Sequence, residues 1–254
     1  MTKKKRVVVK IGTRLLTTDQ NKIDLENLRQ LSTQIAQIKK KYHLDICIVS
    51  SGAIICGSYF LNPSDKIREK QAAAAIGQPI LCQEYANSFK EHDLLTAQIL
   101  LTKDGLSNKT RRAHTLDTIE TLLEHNIIPI INENDTVAVD EITFGDNDGL
   151  SCSVAKIIKA DLLMLLTDTN GVYTDNPKTH PNATLIEHID TITDDQIKTI
   201  QDNPNARGGM KSKLSAAKIA SEAGIDVYIA NGRKSDIMSK ILSGQNGGTF
   251  VPKK

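Results

Sequence analysis

Short apolar runs alternate along this chain with longer stretches of helical period. That alternation limits the possible folds more than any other feature. The runs are Arg6-Val-Val-Val-Lys-Ile11, Asp45-Ile-Cys-Ile-Val-Ser50, Leu94–Leu101, Ile127-Ile-Pro-Ile-Ile131, Asp161-Leu-Leu-Met-Leu-Leu-Thr167 and Ile225-Asp-Val-Tyr-Ile-Ala230. Each has strand length, and most are apolar throughout, as strands buried on both faces are. Between the first two, Leu25, Leu28, Leu31, Ile35 and Ile38 share one helical face, and Asp24 is placed to cap it. An Ala-rich helical region covers roughly 68–90, with a break expected near Gly77 and Pro79. A further helix centres on Leu116, Ile119 and Leu123, and Gly224 is placed to end a helix before the sixth run. Pro129 argues against a central position for the fourth strand. Residues 136–146 interrupt the rhythm and read as a hairpin. The fold class expected is α/β, with a mainly parallel central sheet covered on both faces. The absence of repeats, low-complexity segments and linkers makes 1–254 one compact domain with two functional halves.

Charge and cysteine usage exclude several function classes. The formal net charge is +2, without the basic bias of nucleic-acid binders. Lys3, Lys4, Lys5 and Arg6 read as a solvated N-terminus, and the apolar run behind them is too short for a signal-peptide core. No apolar run approaches membrane-spanning length. Cys47, Cys56, Cys82 and Cys152 fit no zinc or redox spacing. Cys47 and Cys152 read as small core residues, and a reducing cytoplasm is the expected compartment. The six histidines lack metal-ligand spacing, and no Ser-His-Asp assignment has positional support.

In parallel sheets ligands sit beyond the carboxyl ends of the strands. Polar and Gly-rich segments follow four of the six strands here. After the first come Lys10 and Gly12-Thr13, where a lysine suits a charge aimed at phosphate; the plainer reading is a lysine snorkelling to water. After the second comes Ser50-Ser51-Gly52-Ala53, a small turn opening a helix. An ordinary βα turn looks the same, and the Rossmann and P-loop signatures are absent. After the fourth come Asn132-Glu-Asn-Asp135 and then Gly145-Asp-Asn-Asp-Gly149, ahead of an apolar helix expected from about Leu150. Capping explains either cluster alone. Together they suit ordering of lysines, Mg²⁺ or a substrate amine. After the fifth comes Thr167-Asp168, with a long connection suited to covering a nucleotide base. Before the sixth, Arg207-Gly-Gly-Met-Lys-Ser-Lys213 opens a helix and offers a second phosphate cradle; solvated lysines at a Gly-rich start are the alternative.

Six strings carry a resemblance: Val-Val-Lys10-Ile-Gly-Thr13, Ser51-Gly-Ala-Ile54, Ile131-Asn-Glu-Asn-Asp135, Gly145-Asp-Asn-Asp148, Leu-Leu-Thr167-Asp168 with Gly171-Val-Tyr-Thr174, and Gly208-Gly-Met210 with Lys213. In this order they resemble the amino acid kinase family, and the Asn-Glu-Asn-Asp and Gly-Asp-Asn-Asp pair resembles its glutamate-phosphorylating branch. The resemblance implies an αβα sandwich, with the amino acid on the N-terminal half and ATP on the C-terminal half. It implies that Lys10 and Lys213 face the phosphates and that Asp148 holds those lysines. It assigns Ser51, Gly52, Asn132, Asp135 and Asn147 to L-glutamate. It assigns Lys10, Gly12, Thr167, Asp168, Arg207, Gly208, Gly209, Met210, Lys211, Ser212 and Lys213 to the nucleotide. The implied reaction is ATP-dependent phosphorylation of the γ-carboxylate, the first step of proline biosynthesis, with Mg²⁺ arriving with ATP and no direct protein ligands to it. Implied partners are proline as feedback inhibitor, glutamyl phosphate reductase, and further copies in a homodimer or homotetramer; nucleic acid and membrane are not among them.

Two departures stand out. Many members of that branch carry a C-terminal PUA domain, whereas the sequence stops just after Gly248-Thr-Phe-Val251, so a short form without that domain is expected. Ala206-Arg207 stands where a Gly-Thr pair is expected. Two other readings stay open. One is a sister kinase for N-acetylglutamate, aspartate, carbamate or a nucleoside monophosphate. The other is a non-catalytic nucleotide or metabolite sensor on the same fold.

Overall fold

The structure is a computed structural model that describes residues 4–18, 20, 22–138, 147–177, 179–199 and 209–254. Strand β1 (Arg6–Ile11) runs into a 3₁₀ turn (Thr13–Leu15), followed by helix α1 (Leu25–Tyr42) and strand β2 (Asp45–Ser50). Helices α2 (Ala53–Leu61) and α3 (Ile67–Lys90) lead to β3 (Thr96–Leu101), and α4 (Lys103–Ser107) and α5 (Lys109–Glu124) lead to β4 (Ile128–Glu133). Helix α6 (Asp148–Ile157) precedes β5 (Leu162–Thr167), and a two-residue ladder joins β6 (Val172–Tyr173) to β7 (Leu185–Ile186). Helices α7 (Asp194–Thr199) and α8 (Met210–Glu222), strand β8 (Asp226–Asn231), helix α9 (Ile237–Leu242) and strand β9 (Thr249–Val251) complete the order.

The main sheet has the order β3-β4-β2-β1-β5-β8-β9, and every pairing is parallel except β8 with β9. Alternate residues of β1 feed two cores. Val7, Val9 and Ile11 pack with α1, α3 and α9, through Leu28, Leu31, Ile35, Leu81, Tyr85, Phe89 and Met238. Val8 packs on the opposite face with α5, α6 and α8, through Ile119, Leu123, Val154, Leu214 and Ala217. A helical layer therefore covers each face, and the αβα sandwich is the observed architecture. The strand order reverses about β1: the chain builds β2, β4 and β3 on one side, then β5, β8 and β9 on the other. A crevice at such a reversal is where open parallel sheets bind ligands.

Most local expectations hold. The Asp24 side chain accepts from Asn27 N at 3.0 Å and caps α1. Cys47 and Cys152 are buried, and burial pushes their thiols up to about 12 and about 11. Gly224 adopts φ +81° beyond the end of α8.

Three expectations are corrected. Helix α3 runs unbroken from Ile67 to Lys90 with Pro79 inside it. Gly77 is there for contact, not as a breaker: a Cβ on it would lie 1.8 Å from the Ala53 carbonyl oxygen, and one on Gly57 would lie 1.8 Å from that of Ala73. Backbone-to-backbone packing of α2 on α3, with Gln78, Leu81 and Tyr85 buried beyond it, outweighs the one hydrogen bond that Pro79 forfeits. Strand β4 lies inside the sheet despite Pro129. Pairing with β2 involves Ile130 and Ile131, so the proline stands ahead of it at the strand's start. Helix α6 begins at Asp148, two residues earlier than the apolar pattern indicates. The expected hairpin over 136–146 lies mostly outside the described residues; 136–137 form a turn.

Candidate active site

The carboxyl ends of β1, β2, β4 and β5 meet at the strand-order reversal, and the polar strings found in the sequence converge there. Lys10 shares the parity of Val8, so it points toward α6 and α8. It is 2% exposed, and its Nζ lies 2.5 Å from Asp148 Oδ1. Asp148 is fully buried in the first turn of α6, where the helix dipole favours a carboxylate. Its Oδ2 accepts from Lys213 Nζ at 3.2 Å and from Ser212 Oγ at 3.1 Å. Lys213 is the fourth residue of α8, a position where the dipole disfavours a cation, and it is 4% exposed. One carboxylate thus holds two buried ammonium groups from opposite ends of the sequence. Burying such ions costs several kcal/mol each, and pairing with Asp148 offsets that cost. Lys10 and Lys213 are thus buried and not solvated, whereas Lys211 in the same helix start is exposed.

A second cluster adjoins the first through the neighbours Asn147 and Asp148. Asn147 is fully buried, and its Nδ2 lies 2.8 Å from Asn132 Oδ1, 3.1 Å from Ser51 Oγ and 3.2 Å from the Ser50 carbonyl oxygen. Asn132 Oδ1 also accepts from Glu133 N at 2.8 Å. Asp135 lies three residues beyond Asn132, buried in the turn after β4. Gly52 takes φ +112° as the residue preceding α2, a conformation that excludes an ordinary side chain. The Leu16 side chain lies 3.2 Å from where its Cβ would be.

The third group lies at the β5 end. Gly12 leaves room there: its Cβ would meet the Leu166 carbonyl oxygen at 3.4 Å and Lys10 Nζ at 3.6 Å. Thr167 Oγ1 donates to Asp168 Oδ1 at 3.3 Å, and Asp168 Oδ2 pairs with Arg14 Nη1 at 3.2 Å. Gly209 precedes α8 in extended conformation, Met210 is half-buried against the second core, and Lys211 is exposed. Arg207 and Gly208 lie outside the described residues.

Three residues with roles in this geometry were missed from the sequence. Arg14 fixes the turn after β1 to Asp168. Gln78 and Tyr85, on α3, support the strand ends: Gln78 Oε1 accepts from Asn132 Nδ2 at 2.7 Å, and Tyr85 Oη lies 2.8 Å from Ser50 Oγ. Burial pushes the Tyr85 phenol well above its usual range, so it stays protonated. Gln78 and Tyr85 are seven residues apart on one helical face, a spacing that carries no signal until the helix is placed.

Comparison with known proteins gives the family and the fold. The amino acid kinase family model matches residues 5–231. Glutamate 5-kinase of Hydrogenovibrio crunogenus is 41% identical over 254 residues, covering 98% of this chain and 67% of that protein. Glutamate 5-kinase 1 of Bacillus licheniformis is 42% identical, covering 98% and 69%. Among solved structures, carbamate kinase from Giardia lamblia bound to AMP-PNP aligns with a TM-score of 0.71 at 17% identity, covering 100% of each chain. UMP kinase from Ureaplasma parvum aligns with a TM-score of 0.67 at 20% identity, covering 99% of this chain and 100% of that one. These two likenesses concern the fold. The sequence matches go further, and on them the chain belongs to the amino acid kinase family, among its glutamate 5-kinases.

Proposed function

We propose that the chain transfers the γ-phosphoryl group of ATP to the γ-carboxylate of L-glutamate, giving ADP and γ-glutamyl phosphate, the first step of proline biosynthesis. The observation that carries this reading is Asp148 holding both Lys10 and Lys213 at the strand-order reversal. A carboxylate is already a nucleophile at neutral pH, so no general base is required. One of its oxygens bonds to the γ-phosphorus while the bond from that phosphorus to the bridging oxygen breaks and leaves with ADP. Two anions must approach, and the barrier is alignment and charge.

The residues divide accordingly. Lys10 and Lys213 neutralise the transferring phosphoryl oxygens, and Asp148, aided by Ser212, fixes where their ammonium ends stand. Backbone N–H groups at Gly12 and Gly52 add donors to the same oxygens. Ser51, Asn132, Asp135 and Asn147 hold the amino acid on the β2–β4 side. Thr167, Asp168 and the 207–213 segment hold the nucleotide on the β5 side. Mg²⁺ fits as a cation carried by the phosphate oxygens. Among the described residues no group of three or more His, Cys, Asp or Glu side chains stands together to hold a metal alone. When bound it supplies further charge neutralisation.

The product is an acyl phosphate, labile in water, so glutamyl phosphate reductase is the natural consumer and proline the natural feedback inhibitor. A homodimer or homotetramer in the cytoplasm completes the reading. Among the described residues no helix is long and apolar enough to cross a membrane. The test is ADP release with hydroxylamine trapping of the acyl phosphate across a panel of carboxylates and carbamate. A hydroxamate formed with L-glutamate supports the reading. ADP release driven instead by N-acetylglutamate, aspartate or carbamate replaces it with a sister activity, and no turnover with any of them leaves a sensor.

A further inference from the structure

Behind the strand ends runs a buried hydrogen-bond relay whose direction is set jointly by a backbone group at each end and by the Gln78 acceptor. At one end the Glu133 N–H, which can only donate, reaches Asn132 Oδ1 at 2.8 Å. Asn132 Nδ2 must then face away, and it donates to Gln78 Oε1 at 2.7 Å. At the other end the Ser50 carbonyl, which can only accept, lies 3.2 Å from Asn147 Nδ2. The same Nδ2 reaches Asn132 Oδ1 at 2.8 Å and Ser51 Oγ at 3.1 Å. Every member is at least nine-tenths buried: Gln78 is 7% exposed, Ser51 2%, Asn132 and Asn147 fully buried. In so dry a place an amide pointing the wrong way leaves a donor or acceptor unmet, so one polarity is strongly preferred.

That polarity reaches the candidate amino acid site. Asn147 Nδ2 has two N–H groups for three acceptors, so the Ser51 oxygen accepts through a shared hydrogen, and its own O–H is available to donate. A donor is what a substrate carboxylate needs. We propose that Gln78 is a positioning residue for the amino acid: its Oε1 holds Asn132, and through it Asn147, in the orientation that makes Ser51 a donor toward the substrate. The inference rests on the reading of the β2–β4 side as the L-glutamate subsite. Gln78 stands a full side chain behind Asn132 and acts only through it. Its Nε2 finds a weak acceptor in Cys82 Sγ at 3.4 Å, so the acceptor end of the amide matters more than the donor end.

Two substitutions separate this role from packing. Gln78→Met keeps length and volume and removes the acceptor. Gln78→Glu keeps an acceptor oxygen at the same place, whether ionised or protonated. Steady-state kinetics with L-glutamate and ATP should show KM for glutamate raised about tenfold in Gln78→Met, the scale of one misdirected hydrogen bond to a charged group. KM for ATP should move by less than about twofold, because the relay does not touch the β5 side. Gln78→Glu should stay within about threefold of the unsubstituted protein in both. A packing role gives the opposite ranking, with apolar Met tolerated and buried Glu damaging, and that ranking overturns the proposal. Equal changes in the two KM values overturn it too. If Gln78→Met does not fold, Gln78→Glu decides alone: a near-normal glutamate KM supports the relay, and a tenfold rise removes it. An unsubstituted protein that turns over ATP with another acceptor and not with L-glutamate fails the subsite reading itself, and the relay's role with it.

Discussion

Strand β1 carries a basic residue at each end, and the two ends use it in opposite ways. At the amino end, Arg6 lays its guanidinium on Glu120 of α5, with Nη1–Oε1 at 2.7 Å and Nη2–Oε2 at 2.5 Å, and Nη1 also donates to the Ile158 carbonyl at 2.8 Å. A two-pronged cation meets a two-oxygen anion in a fork-to-fork pair. At the carboxyl end, Lys10 brings a single point charge to Asp148, which Lys213 and Ser212 share. Among the described residues, one carboxylate there meets both lysines. The first arrangement closes on itself and ties β1 to the helical layer. The second gathers positive charge where chain direction, helix ends and the strand-order reversal all bring ligands. Place on the sheet, more than distance, separates these two ion pairs.

The largest expected effect tests the carboxyl end directly. Lys10→Ala should lower kcat by roughly 10²-fold or more, the scale for losing one preorganised charge contact, with KM for ATP changing far less. A near-normal kcat would make Lys10 an ion-pair residue like Arg6 and erase the contrast. Asp148→Asn keeps the shape of the side chain and removes the charge that collects the lysines. It should lower kcat by roughly ten- to a hundredfold, since it displaces the cations without deleting them. Asn caps a helix about as well as Asp, so normal turnover would return Asp148 to a terminal helix residue.

Asp135 sharpens the comparison within the site. L-glutamate carries a protonated α-amino group, and Asp135 is the carboxylate offered by the turn after β4. A charge-assisted contact contributes roughly 1.5–3 kcal/mol, so Asp135→Asn should raise KM for glutamate roughly ten- to a hundredfold with little change in KM for ATP. N-acetylglutamate, which has no ammonium, should be a poor substrate for the unsubstituted protein. Efficient use of it, or equal damage to both KM values, would count against this carboxylate as the ammonium site.

Much of this was legible before any coordinates. The six main strands stand within two or three residues of the apolar runs, because buried parallel strands must be apolar on both faces. Lys10, Asp148 and Lys213 were named in advance, but their convergence was not derivable from spacing. Residues 10 and 213 meet only because β1 lies beside β5 and α8 lies on the same face. The β6–β7 ladder and β9 were missed, since two or three residues carry no readable period. Helix α3 misled for a physical reason: Gly77 and Pro79 are breakers in isolation, and tertiary contact at Gly57 and Gly77 overrides them. Gln78, sitting between them, was invisible for the same cause. A polar residue in an Ala-rich helix reads as solvent-facing until the helix that buries it is placed.

The smallest expected effect on catalysis lies at the other end of β1, and it completes the contrast. Arg6→Ala removes the fork from Glu120 and the bond to the Ile158 carbonyl, which together join β1, α5 and the segment following α6. The Arg6 side chain is 15% exposed and that of Glu120 32%, between the surface pairs that contribute almost nothing and the buried pairs whose disruption costs several kcal/mol. A loss of about 2 kcal/mol is expected, a drop in Tm of roughly 4–8 °C for a domain of this size. Glu120 keeps partial access to water and can rehydrate, which is why the loss stays below that of a fully buried pair. The Arg6 backbone N–H still donates to Asp161 Oδ2 at 2.7 Å, so the start of β1 remains anchored and the register with β5 is preserved. Turnover at 25 °C should therefore stay within about twofold. Thermal melts and steady-state rates on the same preparation separate the two ends: Arg6→Ala should lose stability and keep kcat, whereas Lys10→Ala should lose kcat. A fall in kcat for Arg6→Ala as steep as that for Lys10→Ala would mean that β1 transmits strain along its whole length, and that the two ends form one mechanical unit.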